Sequence, residues 1–181
     1  MTALQSATLT PPASNDDYAQ GPATAPATLV EYGDFQCPSC GRAYPIVKEI
    51  QRQFGDQLRF VWRNFPLTQI HPQAESAAEA AEAAGAQGAF WGMHDLLFEH
   101  QVALGAELYL ACATTLGLDV DRFARELADG VYADKVRQDF LSGVRSGVNG
   151  TPTFFINGRR HDGAWDADAL AAAIERAARE R

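Results

Sequence analysis

From Thr28 the apolar positions Leu29, Val30 and Tyr32 run up to Gly33-Asp34, where the run breaks; this predicts a short strand. From Ala43 the apolar positions recur at helical spacing through Ile46, Val47, Ile50 and Phe54. Pro45 falls inside that helix and is expected to kink it, because its ring crowds the Gly41 carbonyl. Leu58, Phe60 and Trp62 then alternate with Arg59, Val61 and Arg63, a second strand with one apolar face and the two arginines on a solvated one. A parallel crossover is the default for such a β-α-β unit. From His71-Pro72 to Arg145 every apolar pattern is helical. Ala74, Ala77, Ala78, Ala81 and Gly85 give one helix a small-residue face. Phe90, Met93, Leu96 and Leu97 mark a second helix, and a third runs near Glu107 to Thr115 and ends at Gly117. Asp119 caps a fourth that buries Val120, Phe123 and Leu127, and Val136, Phe140 and Val144 mark a fifth. Strand character returns at Thr153-Phe154-Phe155-Ile156. Asn157-Gly158 is a strong hairpin signal, Arg159 to His161 is the returning strand, and Asp166 caps a last helix carrying Leu170, Ile174 and Ala177. The order predicts an α/β fold: a mixed sheet flanked by helices, with an all-helical subdomain inserted in the middle. Residues 1–20 read as a flexible tail, 21–69 and 146–181 as the α/β domain, and 70–145 as the helical insertion.

Composition narrows the function classes. The chain has 181 residues, 46% of them hydrophobic, enough for one domain with a sizeable core. A net charge of -8 argues against nucleic acid and against an anionic membrane surface as partners. No apolar run is long enough to span a bilayer. Residues 1–27 contain no Lys or Arg and no continuous apolar core, so they do not read as a signal peptide, and a cytoplasmic protein is expected. A monomer is expected as well.

The chemistry concentrates at Cys37-Pro38-Ser39-Cys40, where the first strand hands over to the first helix. The open backbone N–H groups and the dipole of a helix N-terminus favour a thiolate there. Cys37 is expected to be the exposed nucleophile and Cys40, one turn into the helix, the shielded resolving thiol. Pro38 suits the first turn, where its missing N–H costs nothing. Half of a zinc site is the plainer reading of two such cysteines. Structural zinc wants four ligands, however, and Cys112 and the four scattered histidines supply no second pair at ligand spacing. No metal and no cofactor are expected. Cys112, among alanines, reads as a buried small hydrophobe. His94 and His100 read as helix-face or hydrogen-bonded residues, and Trp62 and Trp91 as core.

Three stretches together resemble the DsbA-like branch of the thioredoxin superfamily. They are Val30 to Cys40, with its strand and redox motif; Gly150-Thr151-Pro152-Thr153 with the hairpin that follows; and Arg63-Asn64-Phe65-Pro66-Leu67 with the Ala-rich helix and Phe90-Trp91-Gly92-Met93-His94. The resemblance spans about residue 21 to the C-terminus. It implies a thioredoxin-like fold and thiol–disulfide exchange through Cys37 and Cys40. It also implies a cis peptide before Pro152 facing the cysteines, with Thr151 and Pro152 binding substrate. Glu31 matches the family's buried carboxylate, which relays protons to and from Cys40; an ion in an otherwise apolar strand is costly without such a task. One departure stands out: the DsbA dipeptide is Pro-His, whereas here Pro38 is followed by Ser39, which brings no positive charge.

The expected activity is therefore exchange of the Cys37/Cys40 disulfide with thiol- or disulfide-containing substrates, in the reductase or isomerase direction. Glutathione or a thioredoxin-type system is the expected redox partner. Two alternatives belong to other classes. One is a glutathione-transferase or isomerase-type enzyme of the same superfamily, which does not need Cys40. The other is a non-catalytic redox-sensing domain whose disulfide switches a binding surface.

Overall fold

The computed structural model describes residues 7–180. Among them are five strands: β1 (Tyr18–Gln20), β2 (Ala27–Gly33), β3 (Leu58–Asn64), β4 (Thr153–Ile156) and β5 (Arg159–His161). The α-helices are α1 (Pro38–Phe54), α2 (Ala74–Gly85), α3 (Phe90–Glu99), α4 (Ala106–Thr115), α5 (Val120–Ala128), α6 (Ala133–Arg145) and α7 (Ala167–Arg179). The strands form one mixed sheet in the order β1-β3-β2-β4-β5, flanked by helices in a thioredoxin-like arrangement. The chain divides into two compact units. One comprises Met1–Gly33, Arg42–Arg63 and Leu141–Arg181; the other comprises Asp34–Gly41 and Asn64–Phe140.

The first unit is built on β2, which is buried except at Thr28. Its antiparallel register with β4 sets Leu29 opposite Ile156, Glu31 opposite Phe154 and Tyr32 opposite Thr153. The hairpin from β4 to β5 turns at Asn157 and Gly158, with φ of 46° and 81°, both in the left-handed region that a two-residue turn demands. Asn157 also accepts from the Thr28 N–H at 2.8 Å and donates to the Ala177 carbonyl at 3.0 Å, tying hairpin, β2 and α7 together. Position 33 at the end of β2 is glycine for a steric reason: the Trp62 ring occupies the space a Cβ would need. Asp166 caps α7 by accepting from the Ala169 N–H at 3.0 Å, and Leu170 and Ile174 are fully buried.

Two expectations fail in this unit. Residues 7–20 are not a flexible tail; residues 1–6 lie outside the described residues. Thr8 bridges to Arg159, Leu9 is buried and donates its N–H to the Gly158 carbonyl, and β1 pairs antiparallel with β3 at the sheet edge. Nor does Arg63 line a solvated face. It is 3% exposed, and its guanidinium donates to both Asp17 oxygens (2.8 and 3.0 Å), to the Pro11 and Pro12 carbonyls and to the Tyr32 hydroxyl. Burial alone would lower its pKa, but the bonds to Asp17 and Tyr32 outweigh burial and raise it. The two failures have one cause, because the segment read as a tail is what covers and neutralises Arg63. Val144, expected on the apolar face of α6, is exposed. The inward positions there are polar: the Ser142 hydroxyl lies 2.7 Å from the Tyr32 hydroxyl, and Ser146 accepts from the Thr10 N–H at 2.8 Å.

The second unit is helical. α2 packs on α3, α4 and α5 through buried alanines that include Ala77, Ala80, Ala81 and Ala84. Asp119 caps α5 by accepting from the Arg122 N–H at 2.9 Å. A largely buried polar cluster lies here, with Lys135 at its partly exposed edge. Asn64 Nδ2 donates to Glu82 Oε1 (2.8 Å) and Asp139 Oδ2 (3.0 Å), while Lys135 Nζ lies 2.7 Å from Asp139 and 3.6 Å from Glu82. Burial pushes the Glu82 carboxyl up to about 7, with Lys135 opposing and Asp139 assisting. The insertion expected at residues 70–145 therefore has different bounds. Asn64 belongs to it by these bonds, and so does the loop that carries the cysteines.

Candidate active site

Cys37 immediately precedes the first turn of α1. Its N–H donates to the Asp34 carbonyl (3.1 Å) and its carbonyl accepts from the Gly41 N–H (3.0 Å), so the loop passes directly into the helix. Buried Asp34 fixes that loop. Oδ1 accepts from the Gln36 N–H at 2.8 Å; Oδ2 accepts from the Leu67 N–H at 3.0 Å and lies 2.7 Å from His71 Nδ1. Gln36 Oε1 accepts from the Gln73 N–H at 2.6 Å. The Phe35 ring packs against His94 and Phe98, with centroids 5.6 and 5.1 Å away. Gln101, on the short 3-10 turn Gln101–Ala103, donates through Nε2 to the Phe35 and Cys37 carbonyls, both at 2.8 Å.

Cys37, Cys40 and Cys112 are all buried. The expected contrast between the redox cysteines is smaller than the sequence reading has it. Cys37 is not exposed: it shows 5% of its surface against none for Cys40, while Pro38 is exposed and Ser39 half-buried. α1 continues through Pro45 to Phe54. Cys112 lies buried in α4, where burial pushes its thiol pKa up. His94 is buried in an aromatic cluster, with Nδ1 2.9 Å from Asp95 Oδ1. Among the described residues no group of three or more His, Cys, Asp or Glu side chains is placed to hold a metal.

In the sheet unit, Glu31 is buried on β2. Thr151 and Pro152 are half-buried and joined by a cis peptide, and the Thr153 hydroxyl donates to the Gly150 carbonyl at 2.8 Å. Because Tyr32 pairs with Thr153, Thr151-Pro152 precedes β4 at the end of the sheet where β2 finishes. Sequence reasoning missed Asp34, His71 and Gln101. Asp34 was legible as a turn residue beside Gly33; His71 and Gln101 carry no local signal, since only the folded chain brings them to the loop.

A model of the thioredoxin family matches residues 13–176. The chain belongs to the thioredoxin family. Its fold matches the oxidised crystal structure of BdbD from Bacillus subtilis with a TM-score of 0.84, at 25% identity over 97% of this chain and 98% of that one. The fold also matches alpha-DsbA1 of Wolbachia pipientis, with a TM-score of 0.80 and 20% identity over 93% of this chain and 94% of that one. A curated relative from Salinispora arenicola, named Na(+)/H(+) antiporter NhaA 1, is 51% identical over 158 residues, which is 87% of this chain and 24% of the antiporter. The chain thus spans about a quarter of the length of the curated relatives it matches. No helix among the described residues is long and apolar enough to cross a membrane.

Proposed function

We propose that this thioredoxin-family enzyme exchanges disulfides through Cys37 as nucleophile and Cys40 as resolving thiol. The observation that carries the assignment is the placement of the pair: Cys37 sits at the N-terminus of α1 and is the more accessible of the two, and Cys40 is fully buried in the first turn. The Cys37 thiolate attacks one sulfur of a substrate disulfide, forming a mixed disulfide and expelling the other sulfur as a thiolate. The Cys40 thiolate then attacks the Cys37 sulfur, leaving a Cys37–Cys40 disulfide and releasing the second substrate thiolate. The reverse sequence oxidises a substrate dithiol. Glu31, buried on β2, is proposed as a proton relay in the exchange. Thr151 and Pro152 offer backbone to an extended substrate segment, as an added strand would use it.

The direction follows from the Pro38-Ser39 dipeptide. Without a positive charge beside Cys37, a reduction potential between roughly -270 and -120 mV is expected. In a reducing compartment such as the cytoplasm, that favours reductase or isomerase work on protein substrates, with glutathione or a thioredoxin-type system as redox partner. Antiport is not carried over from the relatives, whose matched segment is about a quarter of their length. Insulin reduction with each cysteine changed tests the scheme. Cys37→Ser should abolish turnover and Cys40→Ser should accumulate mixed disulfides. Turnover by Cys37→Ser would overturn the assignment, and a potential at or above -120 mV would overturn the direction.

A further inference from the structure

Gln101 lies 64 residues from Cys37 in sequence, yet one side-chain nitrogen binds the carbonyls on both sides of Gln36. A primary amide has two N–H groups, and here each is directed to a different peptide of the cysteine loop. The Cys37 carbonyl consequently accepts twice, from Gln101 and from the Gly41 N–H. The same glutamine explains Gly41. A Cβ at that position would clash with Gln101 Oε1, although the φ of Gly41 is not in the left-handed region and alanine is the better helix former. The residue after the second redox cysteine is thus small to admit the Gln101 side chain.

We propose that Gln101 is a positioning residue for Cys37. Its amide locks the Cys37 peptide into the first turn of α1, and its donor dipole on the Cys37 carbonyl makes that helix end more favourable to a thiolate. Gly41 is its steric partner. The proposal rests on the exchange reading above, and the test separates the two.

The test measures the rate of Cys37 alkylation by iodoacetamide against pH in the fully reduced protein, with the labelled site identified by mass spectrometry. Gln101→Leu keeps the bulk and removes both donors. Cys37 should then alkylate roughly three- to tenfold more slowly at neutral pH, the effect of losing the hydrogen bond to its own carbonyl, and the midpoint of the profile should move to higher pH. Gly41→Ala should give the same displacement by ejecting the amide, and combining the two changes should add nothing further. Should Gln101→Leu not fold, Gln101→Met, similar in length but without a donor, and Gly41→Ala carry the same test. A wild-type profile in these variants, or additive effects in the double variant, would overturn the proposal. If instead the unaltered protein reduces no disulfide and labels Cys37 no faster than Cys112, the exchange reading falls, and this inference with it.

Discussion

Arg63 shows how far a single buried ion depends on its surroundings. Five hydrogen bonds, two of them to Asp17, compensate a guanidinium removed from water. Arg63→Met strands the Asp17 carboxylate, so urea unfolding should show a loss of about 3–5 kcal/mol. Arg63→Lys should rescue little, because a point ammonium cannot reach acceptors laid out for a planar fork. An unchanged unfolding midpoint in either variant would refute this account of the site. Cys112 is the opposite case. It is buried, with its thiol pKa raised by that burial, so Cys112→Ala should leave insulin reduction close to the unaltered rate. Loss of turnover would make it a working thiol.

At the scale of elements, the loop between β2 and α1 is held by side chains from elsewhere in its unit more than by its own sequence. Asp34 serves three donors or partners: the Gln36 N–H within the loop, and the Leu67 N–H and His71 beyond it. Asp34→Ala leaves buried amides without an acceptor and should cost roughly 1–3 kcal/mol in a denaturation experiment. It should also loosen the loop, so that Cys37 becomes more open to a bulky thiol reagent than its 5% exposure allows. Equal labelling rates with and without Asp34 would show that the loop keeps its shape without that carboxylate.

At the scale of the whole molecule, each unit contains a device that can be tested by stability. In the sheet unit, deleting residues 1–17 removes Leu9, the Pro11 and Pro12 acceptors and Asp17 together. The shortened chain should unfold at much lower urea concentration, or not fold, since the sheet unit would lose buried Leu9 and Arg63 would lose its counter-ion, two of its acceptors and its cover. A chain as stable as the original would restore the view of this segment as a dispensable tail. In the helical unit, the Glu82 carboxyl titrates near 7 when folded and near 4.5 when unfolded. The folded state therefore holds the proton more tightly. The stability from Glu82 is complete below about 4.5 and is lost as pH rises toward 7, with no further change above that. Glu82→Gln preserves the acceptor for Asn64 and removes the titration, so the slope of stability against pH between these values should flatten. An identical slope in that variant would assign the pH dependence to other groups.

The sequence alone determined the elements whose cause is local. The strand ending at Gly33, the helix opened by Pro38, the Asn157-Gly158 turn and the caps at Asp119 and Asp166 are all set by neighbours a few residues away, and all are present. The placement of Cys37 and Cys40 between a strand and a helix was legible for the same reason: it depends only on a short local stretch of chain. Tertiary structure decided what depends on partners distant in the chain. A polar segment rich in Pro, Ser and Asp has no core-forming pattern of its own, and only the contacts it makes with Arg63, Gly158 and β3 turn it into a structured edge. Gln101 and His71 look like ordinary polar residues until the fold brings them to the backbone and Asp34 carboxylate of the cysteine loop. Periodicity records which face of an element is apolar, whereas these groups act by supplying one hydrogen bond at one place, and that leaves no period to read.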